Sequence, residues 1–201
     1  MFITIEGIDG SGKSTQARML ADWLGERGRQ VVLTREPGGT PLGEKLRSLV
    51  LDGDARVDAR TELFLYAADR AQHVAEVIRP ALERGHAVVC ERYADSTAAY
   101  QGYGRGLDLE FVHSLNRFAT GGLEPDLTLL LDLPVALARE RLVGTPDRLE
   151  REAADFHERV AAGYRELSRR NKVRTRVIDA APAPEAVFAE VVAVVQPLLG
   201  G

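Results

Sequence analysis

The chain has 201 residues, of which 45% are hydrophobic and 28% are charged, so it predicts one globular domain with a real core and excludes a disordered or fibrous protein. The 26 Lys and Arg residues against 30 Asp and Glu residues give a formal net charge of −4, which argues against a nucleic acid as the main partner.

Cys90 is the only cysteine, which excludes an intrachain disulfide and favours a reducing, cytoplasmic compartment. The first residues, 1–6, carry an acid inside the apolar stretch and do not resemble a signal peptide. No apolar run reaches the roughly 18 residues of a membrane span, so no membrane partner is expected.

Short apolar segments alternate with segments of helical periodicity, which is typical of an α/β protein with a parallel sheet. The predicted strands are 2–6, 31–34, 87–91, 127–132 and 176–179. The predicted helices are an amphipathic segment with Ala17, Leu20, Ala21 and Leu24 on one face that ends at Gly28, and then 41–51, 60–84, 110–120, 150–172 and 184–199. Glycine and proline predict loops at 37–39, 52–54, 102–106, 121–122 and 144–146. The expected fold is a single doubly wound domain, a parallel five-stranded sheet with helices on both faces, whose ligands bind beyond the carboxyl ends of the strands.

A glycine-rich segment follows the first strand and opens the first helix. Residues 7–14 match the pattern G-x-x-x-x-G-K-[ST], whose backbone N–H groups surround phosphate oxygens. In this pattern the lysine, Lys13, reaches the β- and γ-phosphates, and the hydroxyl of Ser14 ligates Mg²⁺. A plain glycine turn is the alternative. The residues predicted to bind a nucleoside triphosphate are Gly7, Ile8, Asp9, Gly10, Ser11, Gly12, Lys13, Ser14 and Thr15.

The strand 87–91 ends in Glu91, and Arg92 follows it, so both side chains are expected at the ligand edge of the sheet. A carboxylate there can hold Mg²⁺, and a guanidinium can pair with phosphate oxygens. A salt-bridged strand end is the alternative.

Tyr66 and Arg70 lie four residues apart on a predicted helix, so a ring and a guanidinium share one face and can meet one ligand. The alternative is a core residue beside a surface cation.

Arginines surround the break 144–146, which predicts a mobile, positively charged lid over 139–151. Arg139 and Arg141 precede the break on a predicted helix, whereas Arg148 lies beyond it and can swing inward. A solvated helix face is the alternative. A guanine-specific switch is disfavoured because residues 171–174, Asn-Lys-Val-Arg, lack the aspartate that such proteins use. A kinase for a phosphorylated acceptor and another NTPase switch both stay open on these residues alone.

Seven motifs in one order make the chain resemble the thymidylate kinase family in its bacterial form, a group of the P-loop NTPase type. The motifs are Glu6-Gly7-Ile8-Asp9-Gly10-Ser11-Gly12-Lys13-Ser14, Thr34-Arg35-Glu36-Pro37-Gly38-Gly39-Thr40, Ala67-Ala68-Asp69-Arg70, Glu91-Arg92-Tyr93, Asp95-Ser96-Thr97-Ala98-Ala99-Tyr100-Gln101-Gly102, Pro125-Asp126-Leu127 and Asp147-Arg148-Leu149-Glu150. The resemblance implies transfer of the ATP γ-phosphoryl group to dTMP with Mg²⁺, by a homodimer. A kinase for UMP, CMP or GMP is the alternative within this class.

The resemblance also implies roles for single residues. It assigns the acceptor site to Asp9, Arg35, Tyr66, Arg70, Arg92, Thr97, Tyr100 and Gln101. It assigns ATP to the glycine-rich loop and Arg139, Mg²⁺ to Ser14 and Glu91, and catalysis to Lys13, Arg92, Arg148 and Asp9. In this scheme Tyr66 stacks on thymine, Arg70 donates to a base carbonyl, Thr97 and Gln101 address the remaining base edge, and Tyr100 crowds the 2′ position of the sugar. The chain departs from the family at Tyr66 and Glu91, where Phe and Asp are usual, and at Val143, where bacterial relatives can carry a lid arginine.

Overall fold

The computed structural model describes residues 1–53, 55–144 and 146–199. Its strands form one parallel sheet in the order β2-β3-β1-β4-β5. They are β1 (Phe2–Glu6), β2 (Val31–Arg35), β3 (Ala87–Glu91), β4 (Leu127–Asp132) and β5 (Thr175–Asp179). The predicted fold class is confirmed, and each predicted strand is present to within one residue at either end.

Helices connect the strands and flank the sheet. They are α1 (Lys13–Glu26), α2 (Pro41–Leu51), α3 (Ala59–His73), α4 (Arg79–Glu83), α5 (Ala94–Thr97), α6 (Leu109–Thr120), α7 (Val135–Arg141), α8 (Ala154–Arg170) and α9 (Pro184–Val195). Side-chain caps begin α2 and α6, where the Thr40 hydroxyl accepts from the Gly43 N–H at 2.9 Å and the Asp108 carboxylate accepts from the Phe111 N–H at 2.7 Å. Among the described helices, none is both long and apolar enough to cross a membrane.

The three central strands of the sheet are buried on both faces, as β3 illustrates. Val88 and Cys90 pack in one apolar cluster with Phe2, whereas Val89 packs in the larger cluster with Ile3. Side chains alternate between the faces of a strand, so a strand that is apolar at every position must be covered on both sides. The near-continuous apolarity of β3 in the sequence therefore has its cause in the two helical layers.

The register of the strands brings polar side chains to one edge. Arg35, at the end of β2, pairs with Glu91 at the end of β3, and Glu91 also pairs with Ile5 near the end of β1. Because the strands are parallel, their carboxyl ends meet beside the glycine-rich loop that follows β1. This register, rather than proximity in sequence, assembles the candidate site.

The helix predicted over 60–84 is interrupted. Its central part, Val74–Ile78, is π-helical and joins α3 to α4. Pro80 has no N–H to donate and its ring clashes with the preceding turn, so the wider turn accommodates the proline without ending the helical path.

The prediction of a loop over 102–106 is wrong in part. Ala98–Gly104 forms a second π-helical segment, which follows α5, and α5 itself was not predicted. Gly102 and Gly104 allow close packing there: a Cβ would lie 2.4 Å from Leu109 and 2.7 Å from Phe156.

The helix predicted from residue 150 begins at Ala154, since the Asp147 carboxylate accepts from the N–H groups of Leu149 and Glu150 and forms a turn instead. Asp54 and Thr145, in two predicted loops, lie outside the described residues.

A buried carboxylate holds the loop 37–39 against α3. Asp69 is fully buried, and its Oδ1 accepts from the Gly38 N–H at 2.9 Å. A Cβ on Gly43 would lie 2.5 Å from the same oxygen, so glycine is required on the facing helix. Burial, followed by repulsion from Glu36, raises the pKa of Asp69 to about 6.

Asp69→Asn is expected to change the pH dependence of stability. A carboxyl whose pKa is raised in the folded state binds a proton that the unfolded chain has released, so its contribution to stability falls as pH rises from about 4 to about 6. The wild type should lose up to about 3 kcal/mol more unfolding free energy across this interval than the variant. Urea denaturation between pH 4 and pH 7 measures the difference. Asp22→Asn, at an exposed site on α1, should keep the wild-type slope, and a wild-type slope in Asp69→Asn would contradict the expectation.

Candidate active site

Two adjoining cavities lie at the carboxyl edge of the sheet. The loop cavity is lined by residues 9–16 and 180–184 and by Glu91, Arg141, Leu142, Glu150 and Val187. We call the second one the α3 cavity. Its polar lining residues are Asp9, Ser14, Arg35, Glu36, Arg47, Arg70, Glu91, Arg92, Ser96, Thr97, Gln101 and Asp147. Its aliphatic and aromatic lining residues are Pro37, Leu51, Tyr66, Tyr100 and Leu149. Asp9, Ser14 and Glu91 line both, so a group bound in one cavity lies next to a group bound in the other.

The glycine-rich loop has the backbone that its sequence predicts. Gly7, Gly10 and Gly12 have positive φ angles, and a Cβ on Gly10 would lie 2.2 Å from the Ala138 carbonyl oxygen. Lys13 is buried, and its Nζ donates to the Ile8 carbonyl at 2.8 Å. Burial and the positive charge of Arg92 lower the pKa of Lys13 to about 8. An anion in the loop cavity would favour the charged form of this lysine.

Ser14 and Glu91 meet where the two cavities join. The Ser14 hydroxyl donates to Glu91 Oε2 at 2.8 Å. A hydroxyl and a carboxylate are hard oxygen donors of the kind that Mg²⁺ prefers. The chemistry of this pair fits the metal assigned to it from sequence.

Arg92 is the centre of the site. It has φ +67°, and its Nη1 donates to the Gly7 carbonyl while its Nη2 donates to Asp9 and to the Tyr100 hydroxyl. Tyr100 in turn donates to Asp9 Oδ2 at 2.8 Å. Burial acts to raise the pKa of Asp9, but Arg92 and Lys13 outweigh it and hold that pKa well below its usual range. The site therefore holds an ionised Asp9 between two cations.

A buried polar layer that the sequence did not reveal supports Arg92 from below. Tyr164, on α8, and Ser96 both accept from Arg92 Nη1 and both donate to Glu6 Oε2. Glu6 also accepts from the Tyr93 N–H at 2.7 Å, and burial, followed by repulsion from Asp95, raises its pKa to about 7. The only sequence signal for this layer was Glu6 itself, an acid at the end of an otherwise apolar strand.

Arg70 lies in the core rather than at the surface. It is 1% exposed, and Glu36 accepts from its Nε at 2.8 Å. Three further acceptors surround its guanidinium: the Thr97 hydroxyl, the Asn116 side-chain carbonyl and the Tyr93 backbone carbonyl. Because Arg70 also lines the α3 cavity, the alternative of a surface cation does not apply.

Tyr66, Thr97, Tyr100 and Gln101 all line the α3 cavity, together with Arg35. Tyr66 is half-buried, and burial, followed by the charge of Glu62, raises the pKa of its hydroxyl. The structure thus brings together the acceptor-site residues that were predicted from separate parts of the chain. Arg47, which donates to the Pro37 carbonyl at 3.0 Å, and Asp147 line the same cavity without having been predicted. Arg47 lies on the amphipathic helix α2, where one more arginine gave no distinguishing signal.

The lid arginines are distributed differently from the expectation. Arg148 donates to the Val50 carbonyl and, at 2.6 Å, to Glu62, because that fully buried carboxylate needs cations nearby. Arg139 is exposed and donates to the Glu152 carbonyl. Among the described residues that line the loop cavity, Arg141 is the arginine, and it donates to the carbonyls of Ala180 and Ala181. The structure therefore brings Arg141, and not Arg148 or Arg139, to the glycine-rich loop.

Comparisons with known proteins agree with one another. Residues 5–191 match the family model described as thymidylate kinase. The chain is 56% identical over 197 residues to the thymidylate kinase of Desulfovibrio desulfuricans, covering 93% of this chain and 91% of that one. It is 54% identical over 209 residues to that of Solidesulfovibrio magneticus, covering 99% and 100%. The crystal structure of thymidylate kinase from Ehrlichia chaffeensis matches with a TM-score of 0.83 and 36% identity over 98% of both chains.

Tyr164→Phe is expected to destabilise the protein through the layer beneath Arg92. The change removes a donor to Glu6 and an acceptor for Arg92 in a buried site, where an unsatisfied polar group costs about 1–3 kcal/mol. Thermal or urea unfolding measures the loss. Tyr103→Phe is the matched control, since the Tyr103 ring lies against Gly163 and Tyr103 is not among the described hydrogen-bond partners of Glu6 or Arg92, and it should stay within about 0.5 kcal/mol of the wild type. Equal stability of the two variants would show that the Tyr164 hydroxyl does not support Arg92.

Proposed function

Because the chain belongs to the thymidylate kinase family and transfers a phosphoryl group from ATP to dTMP, we propose that its two cavities divide the substrates. The triphosphate of ATP occupies the loop cavity, and dTMP occupies the α3 cavity with its base towards Tyr66 and its phosphate towards Arg92. The observation that supports this division best is that Asp9, Ser14 and Glu91 line both cavities. The γ-phosphoryl group and the acceptor phosphate then meet beside Lys13 and Arg92.

Charge stabilisation is the main contribution of the protein to the reaction. The acceptor is already an anionic phosphate, so a strong general base is not needed, and the loose transition state of phosphoryl transfer calls for positioning and fixed positive charge. Lys13 and Arg92 are held by backbone carbonyls of the glycine-rich loop before substrate binds. Asp9 orients Arg92, and Tyr100, donating to the same carboxylate, closes the space next to the sugar.

We propose that Ser14 and Glu91 hold the Mg²⁺ ion that accompanies ATP. When bound, the ion neutralises negative charge on the phosphates. The longer side chain of Glu91, compared with the aspartate usual in the family, reaches the Ser14 hydroxyl at 2.8 Å. Both residues line the loop cavity, where the triphosphate is proposed to bind.

We propose one kinase domain that acts in the cytoplasm. The five strands of the described residues share one sheet, which supports a single domain, and we propose the segment 139–151 as its lid. Cys90 is a free and buried thiol, as expected of a protein in a reducing compartment.

For the lid, we propose Arg141 as the arginine that stabilises the transferring group, with Arg148 acting on the acceptor side. Arg141→Ala is expected to lower kcat by about 10²-fold with little change in the KM for dTMP, the result for an interaction made only in the transition state. Arg148→Ala should chiefly raise the KM for dTMP, because Arg148 holds Glu62 beside the α3 cavity.

Steady-state kinetics on the two variants, with Lys13→Ala as the reference for loss of a fixed cation, separate these roles. A large kcat loss in Arg148→Ala with Arg141→Ala nearly silent would show that closure exchanges the two arginines. Two silent variants would remove the lid from the reaction.

We also propose that the enzyme is a homodimer that pairs through an aromatic surface on α3 and α6. Phe64 and Phe111 are 53% and 51% exposed and pack edge to face with ring centroids 6.5 Å apart. Phe118, 87% exposed, lies two helical turns beyond Phe111 and so on the same face of α6. Large aromatic side chains grouped in this way are typical of protein interfaces.

Phe118→Glu is expected to convert the dimer to a monomer, since it places a charge in an apolar interface. Light scattering coupled to gel filtration measures the mass across a range of protein concentrations. Val173→Glu introduces the same charge at another exposed apolar residue, 94% exposed and outside α3 and α6, and should leave the mass unchanged. A wild type that elutes as a monomer, or a dimeric Phe118→Glu variant, would contradict this surface as the interface.

A further inference from the structure

We infer that Glu62, a buried residue on α3 that does not contact substrate, sets the choice of pyrimidine base by fixing the orientation of the Gln101 side-chain amide. The inference deepens the proposed function and rests on its placement of dTMP in the α3 cavity. Glu62 is here a positioning residue, because it acts on the base through Gln101.

Glu62 is an ionised carboxylate with no exposure to solvent. Its two oxygens accept from Arg105 at 3.0 and 3.2 Å and from Arg148 at 2.6 Å. Burial acts to raise its pKa, but the hydrogen bonds from Arg105 and Gln101 outweigh that effect and keep the pKa below its usual value. An ionised carboxylate has only acceptor oxygens, so every group around Glu62 must be a donor.

This requirement fixes the Gln101 amide. Gln101 is 1% exposed, and its Nε2 donates to Glu62 Oε1 at 2.7 Å. A flipped amide would oppose two oxygens inside the protein, where an unpaired polar contact is costly. The carbonyl Oε1 of Gln101 is therefore the end left for the α3 cavity, which Gln101 lines, and it presents an acceptor to the base.

Arg70 presents the complementary donor. Its Nε and both N–H groups of Nη1 are used by Glu36, Thr97 and Asn116. One N–H of Nη2 donates to the Tyr93 carbonyl, which leaves the other for the cavity. The wall of the cavity thus offers one donor from Arg70 and one acceptor from Gln101.

A donor and an acceptor in this arrangement match the O4 carbonyl and the N3–H of thymine. Cytosine presents the opposite pattern at these positions, an amino group and an unprotonated ring nitrogen, so it meets donor with donor and acceptor with acceptor. The polarity of the match depends on which end of the Gln101 amide faces the cavity. Glu62, through its charge, decides that end.

A second role for Glu62 has to be separated from this one, since it also neutralises Arg105 and Arg148. Loss of that neutralisation would weaken the fold or the lid and would affect all acceptors alike. Only loss of amide orientation changes the preference between bases. The ratio of kcat/KM for dTMP to that for dCMP is therefore the readout that distinguishes positioning from support.

Glu62→Gln keeps the size of the side chain and gives residue 62 a donor, so the Gln101 amide is free to turn. We expect the KM for dTMP to rise about tenfold with kcat within about twofold, and the dTMP:dCMP ratio to fall at least about fivefold. Glu152→Gln is the matched control: Glu152 accepts from Arg105 at 2.6 Å and lies outside the set of side chains that line the α3 cavity. Its ratio should equal that of the wild type.

The Gln101→Leu variant shows whether a negative result contradicts this inference or the proposed substrate site. If Gln101→Leu leaves the KM for dTMP unchanged, the placement of the base is wrong. If Gln101→Leu is impaired while Glu62→Gln keeps the wild-type ratio, the placement stands and the role of Glu62 is wrong. Should Glu62→Gln not fold, Glu62→Asp retains the charge for both arginines and withdraws the oxygen from Gln101; a lowered ratio supports the inference and an unchanged ratio overturns it.

Discussion

The arrangement of the site follows from the partial burial of a guanidinium at the end of β3. The Arg92 side chain is only 15% exposed at the point where we propose that the substrates meet, and a cation so largely removed from water is tolerated only with anions and dipoles around it. Asp9 supplies the opposing charge, the Gly7 carbonyl and the Tyr100 hydroxyl supply the acceptors, and the backbone of Arg92 adopts a positive φ angle to bring them together. Removal of one buried hydrogen-bond partner from such a group costs about 1–3 kcal/mol, so the neighbouring residues are constrained by the arginine as much as by the substrate.

The same constraint recurs at Arg70, and there it connects the proposed base site to the core. Glu36 divides its two oxygens between Arg70 and the imidazole of His73, and the other ring nitrogen of His73 meets the Thr34 hydroxyl at 2.6 Å. Because Glu36 and His73 are both fully buried, the guanidinium has little freedom to turn. A donor fixed in this way loses little conformational entropy when a base binds, which is the physical basis of preorganisation.

The members of this charged framework come from distant parts of the chain. Glu6 lies on the first strand and its partner Tyr164 lies 158 residues later, while Glu62 and Arg148 are 86 residues apart. The acceptor side, the glycine-rich loop and the lid are therefore linked through buried carboxylates rather than through one continuous segment. A change at any of these carboxylates affects more than one part of the site. For this reason both the substrate selectivity and the unfolding free energy of such a variant are measured.

The sequence by itself determined the sheet, most of the helices, the glycine-rich loop and, through seven ordered motifs, the family. These features have local signals: strand apolarity, helical spacing, and glycines at the positions where the chain needs positive φ angles, as at Gly10 and Gly12. The tertiary structure decided the rest: that Arg70 lies in the core, that Tyr164 contacts Arg92 and Glu62 contacts Gln101, that Arg141 lines the cavity of the glycine-rich loop, and that Gly102 and Gly104 lie in a helix. Each of these features depends on a partner many residues away. Neither the charge pattern nor the periodicity of one segment shows which distant side chain will neutralise a buried charge or fill the space beside a glycine.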